Sequence, residues 1–355
     1  MGAVRDYSLL GPDGAAAQAS GLVSATWYAS PVPRKRMKEL MRREDGPAIR
    51  DTILWFAALI VSGGAGALLW GSWWAVLPFF VYGVLYGSSS DSRWHECGHG
   101  TAFKTRWMND VVYQIACFMV LREPTPWRWS HARHHSDTII VGRDPEIGVP
   151  RPPSFFNLAI SLFALRSGPK ELRKVVLHAF GRLDEAERTY IPEMELPKVF
   201  QVARIWLAIY AAVIAAAAAM HSLLPLMLVG LPTFYGAWLY LVFGVTQHAG
   251  LAEDTLDHRL NARSVTMNPV LRLLYWNMNY HVEHHMFPMV PYHQLPALHA
   301  EIAHDLPEPR RGLWGAYREI IPALWRQRRD PTYCLQQVLP LTARPSVQAM
   351  PMAAE

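Results

Sequence analysis

Eight of the 15 histidines fall in three short clusters: His95-Glu-Cys-Gly-His99, His131-Ala-Arg-His134-His135 and His281-Val-Glu-His284-His285. The first has i,i+4 spacing and the other two have i,i+3,i+4 spacing. On a helix each spacing brings all of its imidazoles to one face. Imidazole is the commonest metal-binding side chain, and eight on three short faces are enough for two ions. An HxxHH pattern arises by accident roughly once in tens of chains of this histidine content, so two beside an HxxxH point to a shared metal centre. Imidazole suits zinc, copper, iron and nickel alike, so ligand type does not name the metal. The isolated His178, His221, His258, His293, His299 and His304 read as packed or surface residues.

A metal-bound imidazole usually donates its other N–H to a carboxylate or carbonyl. Asp91, Glu96, Asp137, Asp144 and Glu283 stand near the clusters and are candidates for that role, while Asn277 and Asn279 are candidates to hold a metal-bound water. No separate catalytic side chain is expected beyond the metal ligands.

The elements that position these clusters follow from charge and hydropathy. The chain has 355 residues, 51% hydrophobic and only 18% charged, against about a quarter charged in soluble domains. The depletion is local: segments 52–90 and 205–252 contain no Asp, Glu, Lys or Arg. Each is about twice the roughly 20 residues that cross a bilayer as a helix. Gly71-Ser72 breaks the first, and His221-Ser222 with Pro225 breaks the second. The pattern predicts an all-α integral membrane protein: four transmembrane helices in two hairpins, 52–70 with 73–90 and 199–220 with 224–247. A cytoplasmic helical cap would carry the di-metal site. Residues 1–50 are expected to form a partly disordered cytoplasmic segment, 51–305 the membrane domain, and 306–355 a cytoplasmic tail. Segment 1–26 lacks the basic start and apolar core of a signal peptide.

Basic residues set the orientation. Arg34 to Arg50, Lys104 to Lys198, and Arg310, Arg311, Arg326, Arg328 and Arg329 all fall on one side of a four-span layout, the cytoplasmic side of the inner membrane by the positive-inside rule. This topology accounts for the net charge of +5, and no nucleic-acid-binding motif accompanies it. The same layout puts all three clusters on one face. His248 ends the fourth span at the depth of His95 and is a ninth candidate ligand. Segments 111–121 and 155–165 are too short to span and are expected to be re-entrant or interfacial. Trp107, Trp127 and Trp129 read as an interfacial belt. Cys97, Cys117 and Cys334 form no CxxC pair, which argues against a disulfide framework or a built-in iron–sulfur cluster.

The HxxxH, HxxHH, HxxHH order with two hairpins before the last box resembles the membrane fatty acid desaturase superfamily. The segment from Asn279 through His281, His284 and His285 to His293 is similar to the third box of its bacterial members. The resemblance covers roughly residues 50–300. It implies two iron ions, dioxygen as co-substrate, and two electrons from an external donor: a ferredoxin, a rubredoxin or a cytochrome b5-type protein with its reductase. It also implies an extra histidine ligand near the fourth span, which supports His248. One position departs. Animal acyl-CoA desaturases carry an Asn one turn before that histidine to hold a water, and Gly244 stands here, so Asn277, Asn279 or Gln247 would have to replace it.

No His-Pro-Gly-Gly haem signature occurs, so the donor is expected to be a separate protein, steered by basic residues such as Arg310 and Arg311. The implied reaction is insertion of a C=C bond into an acyl chain or related amphipathic lipid. Hydroxylation or ketolation within the superfamily, desaturation of an amino-acid-derived metabolite such as dihydrorhizobitoxine, and a non-redox zinc protein remain alternatives.

Overall fold

The computed structural model describes residues 5–23 and 26–345. The N-terminal part holds two short helices, α1 (Pro12–Ala19) and α2 (Arg34–Leu40). It packs on the domain where the composition predicts disorder. Arg5 donates to Glu253 Oε2 at 2.8 Å and to Asp254 Oδ2 at 2.6 Å, and Tyr7 OH donates to Glu253 Oε1 at 2.9 Å.

Apolar composition sets the two longest helices. The first, α3 (Asp45–Leu68), has 24 residues and is about 36 Å long at 1.5 Å per residue, enough for a 30 Å hydrocarbon layer. The stretches Arg34–Leu68 and Glu193–Ala219 are both long and apolar enough to cross a membrane, and only 17% of the apolar window in the second is buried inside the protein. A soluble core helix would hide that surface. Here Ile53, Ile60, Val61 and Leu68, with Ile205 and Ile214, face outward, as helices solvated by lipid do.

The chain returns after Gly71 through a 3-10 turn (Trp73–Ala75), α4 (Val76–Gly83), a π-helical stretch (Val84–Ser89) and α5 (Ser90–Gly98). The π stretch adds a residue per turn just before the first histidine box, the place where such bulges re-aim a helix face. Helix α6 (Arg106–Met119) packs along α5 through Val112, Tyr113, Ala116 and Cys117. One face of the apolar run 111–121 is thus part of the core under the box. Helix α7 (Pro124–Ser136), with Pro at its first turn, carries the second box.

A loop leads to α8 (Phe155–Ser161), α9 (Ser167–Ala179) and α10 (Glu185–Arg188). The second long helix is α11 (Leu196–Ala219). Its return leg differs from the predicted single helix over 224–247. It runs as α12 (Leu224–Leu228), α13 (Pro232–Tyr235) and α14 (Trp238–His248). Gly230 at φ +96° and Pro232 end one piece and start the next. Gly236 lies against the first return leg so closely that a Cβ there would sit 1.8 Å from the Gly83 carbonyl oxygen. Ser88 ties the crossing: its hydroxyl donates to the Gly236 carbonyl at 2.5 Å and accepts the Tyr240 N–H at 2.7 Å.

The chain continues with α15 (His258–Asn261), β1 (Val265–Thr266), α16 (Pro269–Tyr275), α17 (His281–Met286), α18 (Leu295–Ile302), β2 (Arg310–Arg311) and α19 (Gly312–Arg329). β1 and β2 pair in parallel, Val265 with Arg310. The predicted tail is therefore part of the body as far as α19, whose Ala316, Ile320 and Leu324 pack on Val245, Ala249 and Val265. Arg263 bridges the same elements, donating to Glu319 Oε1 at 2.7 Å and to the Thr246 carbonyl at 2.8 Å. Buried Arg93 of α5 donates to the Leu274 carbonyl at 2.6 Å and stacks 4.9 Å over Trp276, which fixes the first box helix to α16.

Candidate metal centre

Four elements deliver imidazoles to one place: α5, α7, the end of α14, and α17. The structure brings all nine sequence-flagged histidines together in two groups. His95, His99, His131, His135 and His284 offer nitrogens within 4.8 Å of one another, and so do His134, His248, His281 and His285. The i,i+3,i+4 boxes split between groups: α7 sends His131 and His135 to one and His134 to the other, while α17 sends His284 to the first and His281 and His285 to the second. A box with three ring positions on a 100° arc can serve two neighbouring centres.

The Nε2 atoms face each other. His95 to His284 is 2.8 Å, His284 to His135 is 3.2 Å, and His135 to His131 and His131 to His99 are both 3.1 Å. In the second group His281 lies 2.9 Å from His248 and 3.0 Å from His285.

The other ring nitrogen shows where the protons sit. His131 Nδ1–H donates to Glu146 Oε2 at 3.0 Å, His134 Nδ1–H to Asp144 Oδ2 at 2.8 Å, and His248 Nδ1–H to the Asn261 carbonyl at 2.7 Å. Thr138 Oγ1 donates to the His134 carbonyl at 2.6 Å, which leaves its oxygen to accept from His285 Nδ1 at 3.3 Å. A neutral ring protonated at Nδ1 presents a bare lone pair at Nε2. Several such lone pairs at 3 Å repel unless a cation lies between them.

Charge supports the same conclusion. Burial, reinforced by the facing rings, holds His95, His135, His281, His284 and His285 well below the ordinary imidazole range, so they are neutral. In His134 the Asp144 carboxylate outweighs burial and moves the ring up. Glu96 is fully buried, its Oε1 has no hydrogen-bond partner and lies 3.4 Å from His284 Nδ1, and burial pushes its carboxyl up to about 8. Burial alone leaves this carboxyl protonated at neutral pH, and a cation beside the ring would favour its charged form. The residues present therefore suit two transition-metal ions.

The other sequence candidates divide. Asp144 and Glu96 stand behind imidazoles. Asp91 instead accepts from Trp94 at 2.8 Å and Arg122 at 2.6 Å, Asp137 pairs with Arg143 at 3.0 Å, and Glu283 accepts from Ser264 at 2.5 Å and contacts His299. Asn277 is committed to Arg272 and the Tyr292 carbonyl. Asn279 donates to the Val265 carbonyl at 2.7 Å, and its buried Oδ1 has no partner. Gln247 donates to Tyr275 at 2.7 Å and lines the cavity beside the centre.

Two residues escaped sequence reading. Glu146 had a signal: Asp144 and Glu146 are two apart in a loop, facing His134 and His131, which are three apart on the helix. His258 had none. It stacks on Trp27 at 4.2 Å and reaches His285 at 5.1 Å only through the fold.

A cavity of about 420 Å³ opens onto the centre, lined by His95, His131, His134, His248 and His281 together with Gly244 and Gln247. Its wall also carries Arg122, held over the Trp94, Trp127 and Tyr240 rings at 4.9, 4.3 and 4.8 Å.

Comparison with known proteins agrees with this geometry. The family model described as fatty acid desaturase matches residues 71–317, which span every histidine in both groups. The chain is 27% identical over 275 residues to a probable fatty acid desaturase of Sorghum bicolor, covering 68% of each chain. It is 26% identical over 303 residues to a delta(9) fatty acid conjugase-like enzyme of Dimorphotheca sinuata, covering 71% of this chain and 75% of that one. It is 24% identical over 281 residues to a chloroplastic omega-6 fatty acid desaturase of Brassica napus, of which it spans only 55%. Boxes, helical scaffold and family model coincide on the same residues, and the chain belongs to the fatty acid desaturase family.

Proposed function

We propose that this protein is a membrane-bound, oxygen-dependent desaturase that holds two iron ions, one in each imidazole group, with His95, His99, His131, His135 and His284 as ligands of the first and His134, His248, His281 and His285 as ligands of the second. The observation that carries the reading is the convergence of Nε2 atoms backed by acceptors at Nδ1. Membership of the desaturase family supports iron, and Nε2 separations of 2.8–3.2 Å support a cation shared within each group.

The return legs complete four membrane crossings in this reading, residues 51–305 form the membrane domain, and the cap lies on the cytoplasmic side of the inner membrane, where the basic segments gather. Bound iron would supply the reduction of dioxygen that removes two hydrogens from an unactivated C–C unit. The balance is substrate plus O2, two electrons and two protons to alkene plus two waters, with the electrons from an external iron–sulfur or cytochrome b5-type donor. The protein's own part is positional. Asp144, Glu146 and the Asn261 carbonyl fix the tautomers and aim the rings, and the cavity holds the substrate against His95, His131, His134, His248 and His281. Trp94, Trp127 and Tyr240 hold Arg122 in place on its wall.

An acyl lipid arriving from the bilayer is the substrate class we favour. One observation favours a second class, a compact amphipathic molecule: besides Arg122, the cavity wall carries Asp91, Glu146, Arg151 and Glu253.

Metal analysis of the purified protein with product analysis under oxygen-18 tests the proposal. Two irons per chain and an unlabelled alkene are expected. Zinc without oxygen uptake would overturn it, and labelled alcohol would reassign it to hydroxylation. Mass spectrometry of lipids and polar metabolites, with and without the gene, separates the two substrate classes.

A further inference from the structure

The four-membered group is braced from the far end of the chain. Four rings follow one another outward from the five-membered group. His135 stacks on His285 with centroids 4.5 Å apart, His285 meets His258 at 5.1 Å, and His258 lies 4.2 Å from Trp27 with the planes 5° apart. His258 is 2% exposed and Trp27 is half-buried, so the column ends at the surface. His135 and His285 are ligands in the reading above, whereas His258 and Trp27 belong to neither group of facing nitrogens.

The element that carries His258 cannot place itself. Helix α15 has four residues, and isolated helices shorter than about 12 residues are marginal in water. Yet it backs two ligands of one group. Its Asn261 carbonyl accepts from His248 Nδ1 at 2.7 Å, and its His258 ring faces His285. Asn261 Nδ2 also donates to the carbonyl of Thr138 at 3.2 Å, the residue whose hydroxyl accepts from His285. The N-terminal segment supplies the missing support. Trp27 covers His258 and donates from Nε1 to the Ser136 carbonyl at 3.0 Å, at the end of α7. Tyr28 N–H donates to the Leu256 carbonyl at 2.8 Å, and the Arg259 guanidinium lies 3.5 Å over the Tyr28 ring. Ser30 N–H reaches Sδ of Met286, the last residue of α17, at 3.0 Å. One short stretch of chain thus touches the ends of both HxxHH helices and the bracket between them.

We propose that Trp27 is a positioning residue of the metal centre: through His258 it fixes the His285 ring, and so segment 26–30 governs how firmly the four-membered group holds its ion. The inference rests on the two-ion reading and not on which metal fills the sites. A ligand ring keeps its aim only where the groups behind it are themselves held by packing. In the five-membered group, His131 is aimed by Glu146 instead, outside the column.

The test follows release of iron(II) from the full chain in nanodiscs to an excess of a ferrous chelator. Trp27→Ala should speed loss of one of the two ions about tenfold, the low end of the range for groups behind ligands, and leave the other within about twofold. In the His281→Ala background, which removes a ligand of the four-membered group, Trp27→Ala should leave release of the remaining ion unchanged, which locates the effect. His258→Ala should match Trp27→Ala, and the double variant should lose little more. Trp27→Phe, which keeps a flat ring and loses the Ser136 hydrogen bond, should restore most of the retention. Trp27→Leu, which keeps apolar bulk without a flat face, should not, and it serves if the alanine variant does not fold. Equal acceleration of both ions marks general loosening and overturns the proposal. Unchanged release overturns it too, as does a Trp27→Ala effect that persists in full without His258. The two readings fail separately. Bound zinc in place of iron, with release from one site still dependent on Trp27, sinks the desaturase reading alone. Two irons released alike from wild type and Trp27→Ala sink the brace alone.

Discussion

Five imidazoles meet in one group and four in the other, and the two are backed differently. The five-membered group draws on α5, α7 and α17 and has the Glu146 carboxylate and the buried Glu96 carboxyl behind it. The four-membered group draws on α7, α14 and α17, and its rings are aimed by one carboxylate, Asp144, and by two neutral oxygens, the Asn261 carbonyl and Thr138. The first group is thus richer in ligands, and each group has one ionised carboxylate behind it, Glu146 or Asp144. The second is the one beside Gly244 and Gln247 and has fewer imidazoles. Two neighbouring sites built from the same boxes would bind their metals unequally.

Removing ligands tests that inequality most strongly. His281→Ala leaves the four-membered group with three imidazoles, and we expect metal content to fall from two ions per chain to one. His99→Ala leaves four in the other group, and we expect nearly two ions to remain. Both variants, like His134→Ala and His284→Ala, should lose activity while still inserting in the membrane. Equal metal loss from His281→Ala and His99→Ala, read by plasma mass spectrometry, would remove the asymmetry. Full activity in any of the four would remove the centre.

Next in size are the groups that aim the rings. Replacing such partners typically costs about 10–100-fold in metal affinity or activity. Asp144→Asn should fall at the upper end, because its side chain is fully buried and also accepts the Ile139 N–H at 2.8 Å. Glu146→Gln should fall at the lower end, since Glu146 retains 13% exposure and water can substitute in part. Metal-affinity measurement decides, and the reverse order would mean that charge near the first group matters more than burial near the second.

A third comparison sets the centre against a histidine outside it. His178 lies between Glu123 and Glu187, at 2.5 and 3.0 Å, and ties the start of α7 to α9 and α10. Burial disfavours its cation, but the two carboxylates outweigh burial and raise it to about 9. A raised value stabilises the fold fully below the unfolded pKa near 6.5, and the contribution is lost as pH rises through about 9. Breaking such a buried pair from one side costs about 3 kcal/mol. His178→Gln should therefore lower thermal stability in detergent by several degrees at pH 6, with the difference fading above pH 9. A pH-independent difference would make the contact one of packing alone.

How much of this was legible depended on whether the signal was local. The convergence of the nine histidines was readable because helical spacing puts each box on one face. The outer legs were readable because hydropathy suffices for a straight helix solvated by lipid. The inner legs were not. Hydropathy is blind to Gly236, whose role comes from backbone contact with Gly83, and it gave too little weight to Pro232 inside an apolar run. Segment 306–329 reads as a charged tail, yet its apolar face is completed only by β1 and α14. Glu146 and His258 likewise acquire meaning only when distant segments fold onto the boxes.

The smallest expected effect sharpens the comparison between the groups most directly. Gly244 lies one helical turn before His248 and lines the cavity, and a Cβ there would meet only Tyr240 Cε2, at 3.9 Å. Space for a side chain is therefore present without strain, and a helical glycine costs about 1 kcal/mol of propensity relative to alanine. Gly244→Asn should fold at least as well as wild type and present an amide oxygen toward the four-membered group. If that group is the weaker site because it has fewer ligands, the substitution should raise retention of its metal under a chelator by a few-fold and leave the five-membered group unchanged. Should Gly244→Asn instead lower metal retention, the open position beside Gly244 is needed for a bridging water or for substrate, and the asymmetry between the two groups would serve access and not affinity.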